Sequence, residues 1–247
     1  MNEIVGSHII RIQELGSTNN YAAAQLLTKS LPEGVVFLAD SQVDGRGQGD
    51  NKWESEPNKN LTFSILLYPN FLKIDRQFLI SKTISLGIAD YLKEQTSLVS
   101  IKWPNDIYIG KRKVAGILIE NSIRNNIFSS CIVGIGLNIN QIKFTGDAPN
   151  PVSLSLITGK IYNLDETLVE LCLKINARYL QLRSLKSSQI DDDYAQMLYQ
   201  LDDWSIYKDE NDEFEGRIIG VDQSARLMIE TRSGKINKYN FKEVVFK

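Results

Sequence analysis

The sequence predicts an α+β fold: a mixed, largely antiparallel sheet with helices packed on one face, followed by a small C-terminal β-barrel. Three observations carry this expectation. Two helical stripes, Ile80–Ile84–Ile88–Tyr91 and Leu168–Leu171–Ile175–Tyr179–Leu182, stand among many short strand-type runs. Residues 102–120, KWPNDIYIGKRKVAGILIE, read as a hairpin. Beyond Trp204 the chain changes to short β-type runs separated by turn signals. The expected division is residues 1–200 as one domain and 201–247 as the barrel, which is small enough to need docking on the first.

Taken in order, residues 8–14 read as a strand, and residues 21–29 as a helix with Ala23, Leu26 and Leu27 on its inner face. Between them lies Ser17-Thr18-Asn19-Asn20. Ser17 or Thr18 can cap the helix, and the local spacing favours that reading. The same hydroxyls, amides and free helix N–H groups would also suit a neutral polar ligand head such as a urea. Residues 35–39 form the next strand, ending in Asp40-Ser41-Gln42, and Val43 to Trp53 follow as a glycine-rich loop. Gly45, Gly47 and Gly49 flank Arg46 at alternate positions, a composition able to wrap backbone N–H groups around an anion. It is neither a Walker A loop nor a dinucleotide fingerprint.

Residues 60–68 are a strand, 75–95 the clearest helix and 99–103 a strand leading into the hairpin. Pro104 belongs at a strand mouth, Lys113 opens an otherwise apolar strand, and Gly116 interrupts it where a close approach to the backbone would explain a glycine. Two lysines converging with Asn105 and Asp106 on one sheet end point to an anion site that also holds a metal. Residues 128–138 give a further strand ending in GIGLNIN, whose Asn138 could read a nucleobase edge or simply sit in a bulge and turn. A turn-rich loop (146–151), a second long helix and a shorter one over 190–201 complete the first unit. The last strands are expected at 205–208, 214–221, 226–231, 235–239 and 244–246.

Composition narrows the function classes. In 247 residues, 43% are hydrophobic and 23% charged, ordinary values for a chain with a proper core. Net charge is −2 with both signs intermixed, so there is no footprint for duplex nucleic acid. No leader or membrane span is expected, and Cys131 and Cys172 lack redox or zinc spacing, as in a reduced, cytoplasmic protein. His8 is the single histidine, which argues against triad hydrolases and His-based zinc sites. The chemistry must fall to Lys, Arg, carboxylates, backbone N–H groups and Mg²⁺.

With STNN, GRG-x5-W, KWPNDIYI-x3-KVAGIL and GIGLNIN in this order, the whole chain resembles the biotin protein ligases. The resemblance implies a class II synthetase-like catalytic domain with an SH3-like tail, and ATP, biotin and Mg²⁺ as ligands. Only sixteen residues precede Ser17, so it implies the monofunctional form without a helix-turn-helix domain. It also implies two steps. The biotin carboxylate attacks the α-phosphorus of ATP to give biotinyl-5′-AMP, and a lysine of a biotin carboxyl carrier protein then attacks that anhydride. Ser17, Thr18, Asn19 and Gln42 would hold the ureido head, and Gly45, Arg46 and Gly47 would close over biotin and the adenylate. Lys113 would reach carboxylate and α-phosphate oxygens, beside Gly116, which leaves room for biotin. Lys102, Asn105, Gln48, Trp53, Asn138 and Arg46 would serve the nucleotide, and Asp106 the metal, with Lys113, Arg46 and Asn105 as the catalytic group. No nucleic acid or membrane partner is implied, and the protein would be a monomer or homodimer.

One departure stands out. Where relatives carry further arginines after GRG, this chain has Gln48, Gly49, Asp50 and Asn51. The expectation is weaker nucleotide affinity and escape of biotinyl-AMP, or substitution by Lys52, Lys111 or Arg112. The competing readings are a lipoate or octanoate ligase of the same fold and a biotin-binding module without turnover.

Overall fold

The apolar strand runs assemble into a seven-stranded sheet in a computed structural model that describes residues 3–146, 148–184 and 186–247. Its strands are β1 (Ile9–Leu15), β2 (Val36–Gln42), β3 (Leu61–Leu67), β4 (Val99–Lys102), β5 (Asp106–Ile109), β6 (Arg112–Arg124) and β7 (Ile127–Leu137). They lie in the order β1-β2-β3-β7-β6-β5-β4, and only the β1–β2 pair is parallel. That pair is joined by a crossover helix, α1 (Thr18–Thr28), as a parallel connection requires.

One face of the sheet carries Leu61, Phe63, Ile65, Val133, Ile135 and Leu137 into the main core. The covering helices are α2 (Phe78–Lys93), α4 (Leu164–Arg183) and the short α5 (Ser187–Gln196). Helix α2 is buried along nearly its whole length. It meets α4 at Gly87, where a β-carbon would stand 2.7 Å from the Ile175 Cα. A mid-helix glycine costs about 1 kcal/mol relative to alanine, and here it permits the helices' closest approach. Helix α4 starts at Asn163, whose side chain accepts from the N–H groups of Asp165 and Glu166, and its acidic first turn suits the helix dipole. A five-residue helix, α3 (Leu154–Thr158), is too short to leave a periodic signal in the sequence.

Helix α1 departs from its expected placement. It begins at Thr18, three residues earlier than the periodicity placed it, so Thr18, Asn19 and Ala22 face the sheet. Ala23 is exposed and Leu27 is 87% exposed, so neither is an inner residue. Its sheet contact is the second, smaller cluster around Phe37, Leu66 and Ile132, on the face opposite α2. That face is left open beside α1, and there the cavity forms.

The C-terminal strands β8 (Trp204–Lys208), β9 (Glu213–Val221), β10 (Leu227–Thr231), β11 (Ile236–Tyr239) and β12 (Val245–Phe246) form an antiparallel sheet in the order β11-β10-β9-β8-β12. The main core continues into it through Tyr207, Ile218, Leu227 and Ile229. The Trp103 indole N–H donates to the Ala225 carbonyl at 3.0 Å, tying the KWPND segment to this sheet. Both cysteines are free and buried, and burial pushes their thiols up to about 12. Among the described residues no helix is long and apolar enough to cross a membrane.

Candidate active site

Sheet register builds the floor of the cavity. One cross-strand row runs Thr62, Gly136, Gly116, Asp106, Lys102 over β3, β7, β6, β5 and β4, and the next runs Ser64, Gly134, Leu118. Three glycines on neighbouring strands leave a stretch of bare backbone. Over it lies a cavity of about 580 Å³, within the usual range for a small-molecule site. A β-carbon at Gly134 would stand 2.4 Å from Asn19 Oδ1, and one at Gly136 would stand 2.2 Å from the Trp53 ring. The glycines are therefore required by what rests on them.

A β-bulge decides where Lys113 points. Tyr108 pairs with Lys113 but Ile107 with Ala115, so Val114 is the extra residue. Strict alternation would place Lys113 and Gly116 on opposite faces. The bulge puts them on one face, with the Lys113 Cε 3.4 Å from where a Gly116 β-carbon would be. The Lys113 backbone is fixed by pairing with Asn150 and Val152. Its Nζ lies 2.7 Å from Asp106 Oδ1 and 5.7 Å from the Trp53 ring centre. Lys102 stands beside them, within 3.3 Å of the Tyr108 hydroxyl and against the Phe246 ring. Burial lowers its proton affinity below the ordinary 10.5, opposed by Asp106 and assisted by Lys113.

The other end of the cavity is built of neutral, tightly bonded side chains flanked by the Arg46–Glu120 ion pair. The Thr18 N–H donates to Gln42 Oε1 at 2.9 Å. The Ser64 hydroxyl donates to Asn19 Oδ1 at 2.6 Å and lies 2.7 Å from the Thr18 hydroxyl. The Asn19 amide donates to Glu120 at 2.7 Å. Ser17 occupies the helix N-cap but its side chain makes no cap bond. Local spacing favoured capping, yet these side chains are spent on the cavity wall.

Arg46 is drawn to this neutral end. It donates to Glu120 at 2.8 Å and to Asn20 at 2.6 Å. The glycine-rich loop is a small hairpin, pairing Arg46 with Lys52, and its Gly47 N–H is used internally on Asn51. Gly47 and Gln48 line the cavity, whereas Gly45 is buried behind it, with space for a β-carbon filled by the Trp53 carbonyl. Trp53, expected on the nucleotide side, lines the cavity and lies across its floor on Gly136 and Gly116. Its Nε1 and the Oε1 of Gln48 are buried without a partner, so both can serve a ligand.

The other expected residues fall in different places. Asn138 is buried just past β7, its side-chain amide donating to the Val152 carbonyl while its Oδ1 has no partner, and the segment after β7 folds over it. Lys111 and Arg112 are exposed at the far hairpin turn and do not line the cavity. Lys52 does line it, but pairs with Asp44. Asn105 lines it with its amide bound to the Ile117 carbonyl at 2.6 Å, bracing β6.

Sequence reasoning missed Ser64 and Glu120, which sheet pairing brings in, and the C-terminal wall of Phe241, Lys242 and Phe246. Among the described residues no group of three or more His, Cys, Asp or Glu could hold a metal. Asp106 is the carboxylate beside Lys113, which suits Mg²⁺ carried mainly by phosphate oxygens, its usual mode.

Residues 11–138 match the Biotin/lipoate A/B protein ligase family. The bifunctional ligase/repressor BirA of Bacillus subtilis is 27% identical over 238 residues, covering 94% of this chain and 72% of that protein. The biotin–[acetyl-CoA-carboxylase] ligase of Paracoccus denitrificans is 28% identical over 226 residues, 89% of this chain and 92% of the relative. The structure of the biotin protein ligase from Aquifex aeolicus in complex with biotin and ATP is similar with a TM-score of 0.80 at 26% identity, covering 98% of this chain and 99% of that one.

Proposed function

The chain belongs to the Biotin/lipoate A/B protein ligase family, and on that premise we propose how its cavity divides the work of a biotin protein ligase. The enzyme activates biotin with ATP to biotinyl-5′-AMP and passes the biotinyl group to a protein lysine. Lipoate or octanoate ligation and binding without turnover are not favoured, since the Paracoccus denitrificans and Aquifex aeolicus proteins above are biotin ligases.

One observation carries the division. A floor of bare backbone joins a neutral hydrogen-bonding end to a cationic end. The ureido head of biotin belongs at the neutral end, where Ser17, Thr18, Asn19 and Gln42 offer donors and acceptors already fixed in place. The valerate chain lies along Gly134, Gly136 and Gly116, which requires the Trp53 ring to lift from that floor. The carboxylate then arrives at Lys113.

Joining a carboxylate to a phosphate sets like charges together. At 4 Å and an effective dielectric near 20 the repulsion is about 4 kcal/mol per unit-charge pair. Lys113 and Lys102 offset it, and Asp106 keeps Lys113 aimed at the floor until ligand oxygens compete for the ammonium. The carboxylate oxygen bonds to the α-phosphorus as the bond to pyrophosphate breaks. Asn105 acts by bracing β6, and Arg46 by holding the glycine-rich hairpin beside the head site. Mg²⁺ would supply charge neutralisation to the phosphates, with Asp106 the carboxylate placed to help. In the second half-reaction the amine of a lysine of a biotin carboxyl carrier protein bonds to the biotinyl carbonyl carbon as the bond to AMP breaks, and AMP leaves with that electron pair.

Incubating such a carrier domain with the enzyme, biotin and MgATP and weighing it by mass spectrometry tests this reading. One added biotinyl group on one lysine is expected. An unmodified carrier, or the same gain from lipoate, contradicts it.

A further inference from the structure

Five cationic side chains line the cavity, and three of them are already matched. Arg46 is held by Glu120 at 2.8 Å, Lys52 by Asp44 at 3.3 Å and Lys113 by Asp106 at 2.7 Å. Lys102 is the deep one, packed against Tyr108 and Phe246. The fifth, Lys242, comes from the C-terminal sheet and pairs with no carboxylate among the described residues.

Its placement is specific. Lys242 sits in the turn between β11 and β12 with φ of 69°, a left-handed conformation in which glycine would be unstrained. The next residue, Glu243, is turned away onto Asn240, accepting from its backbone N–H at 2.6 Å and its side-chain amide at 3.0 Å. The Lys242 Nζ lies over the tip of the glycine-rich loop, 2.7 Å from where a Gly49 β-carbon would be. A strained backbone therefore presents an exposed ammonium to the cavity, matched by no carboxylate among the described residues, where Lys102 and Lys113 are half-buried.

We propose that Lys242 binds the β- and γ-phosphate oxygens of ATP, and so the pyrophosphate that leaves. This rests on the biotin-ligase reading above. When the carboxylate oxygen bonds to the α-phosphorus, the electron pair of the broken bond departs on pyrophosphate. That anion must exit to solvent, and the loop's own cations are already engaged by Glu120 and Asp44. The second sheet thus completes the nucleotide site.

Biotin-dependent exchange between ATP and radiolabelled pyrophosphate, measured with the whole chain, tests this. For Lys242→Gly the expected result is a rise on the order of fivefold in KM for ATP and in the pyrophosphate inhibition constant, the size of a half-exposed charge pair. KM for biotin should stay put, and Lys242→Arg should behave as the wild type. Glycine relieves the left-handed φ, so the variant should melt no lower than the parent. Unchanged ATP and pyrophosphate constants in Lys242→Gly would overturn the proposal. So would a parallel rise for both substrates that arginine does not rescue, which would mark a structural turn. Absence of exchange in the wild-type chain would instead overturn the ligase reading, and this inference with it.

Discussion

The two ends of one cavity are built on opposite principles. At the head end, Thr18, Asn19, Ser64 and Gln42 are neutral, mostly buried and bonded to one another. At the other end Lys102, Lys113 and Asp106 are charged and part-exposed, with one cation more than carboxylates. A satisfied neutral network is rigid and discriminates by shape and hydrogen-bond pattern. A cationic cluster held by a single carboxylate is poised to exchange that partner for a more highly charged one. On the proposed division, the first end selects and the second changes during the reaction.

The largest effect expected from breaking this comparison is at Lys113. Lys113→Ala should lower pyrophosphate exchange by about two to three orders of magnitude, the cost of losing a donor aimed at developing charge. Its melting temperature should hardly move, because the lysine is part-exposed. Exchange at near-wild-type rates in that variant removes Lys113 from the chemistry. At the neutral end the balance reverses. Asn19→Ala leaves Ser64 and Glu120 short of a partner, so stability should fall by about 1–3 kcal/mol in urea unfolding, with the kinetic loss concentrated in KM for biotin. A loss spread evenly over biotin and ATP would blur the two ends into one site.

The glycine floor sharpens the contrast. A methyl at Gly134 drives into Asn19, part of the buried network, and Gly134→Ala should cost about 1–3 kcal/mol by overpacking. The same change at Gly136 meets the Trp53 ring, carried on a loop that can shift. Gly136→Ala should therefore weaken biotin binding with less loss of stability. Equal destabilisation in the two would mean that Trp53 is as fixed as Asn19.

The smallest effect expected is a pH dependence. Lys102 has its proton affinity lowered by burial, so between that lowered value and the ordinary 10.5 the unfolded chain binds more protons than the folded one. Its contribution therefore makes stability rise with pH through that window, and Lys102→Met should flatten the slope of stability against pH there. Charge on Lys102 is lost over the same range, so KM for ATP should climb with pH before an ordinary lysine would titrate. An unaltered slope in the methionine variant would show that burial does not cost this lysine its proton.

Much of the sheet and both long helices were legible from period alone, because core positions repeat. The site was legible as a set of residue types, less so as a geometry. Alternation places Lys113 and Gly116 on opposite faces, and only the bulge at Val114 reunites them. Local spacing made Ser17 or Thr18 a capping residue; Ser17 holds the N-cap position without a side-chain bond, and the bonds that engage Thr18 come from Gln42 and Ser64, distant in sequence. Glu120 lay hidden at the end of an apolar strand, and Lys242 in a turn that no local pattern ties to the glycine-rich loop. The surroundings of Asn138 were not legible because a motif shows which strand a residue ends, without showing what folds over it.

A crystal structure with biotin and a non-hydrolysable ATP analogue bound tests the division of the cavity most directly. The ureido head should lie within hydrogen-bond reach of Ser17 to Asn19 and Gln42, the Trp53 ring off Gly136, and the Lys113 Nζ moved from Asp106 to carboxylate and α-phosphate oxygens. A Lys113 still paired with Asp106 and pointing away from both ligands would contradict it.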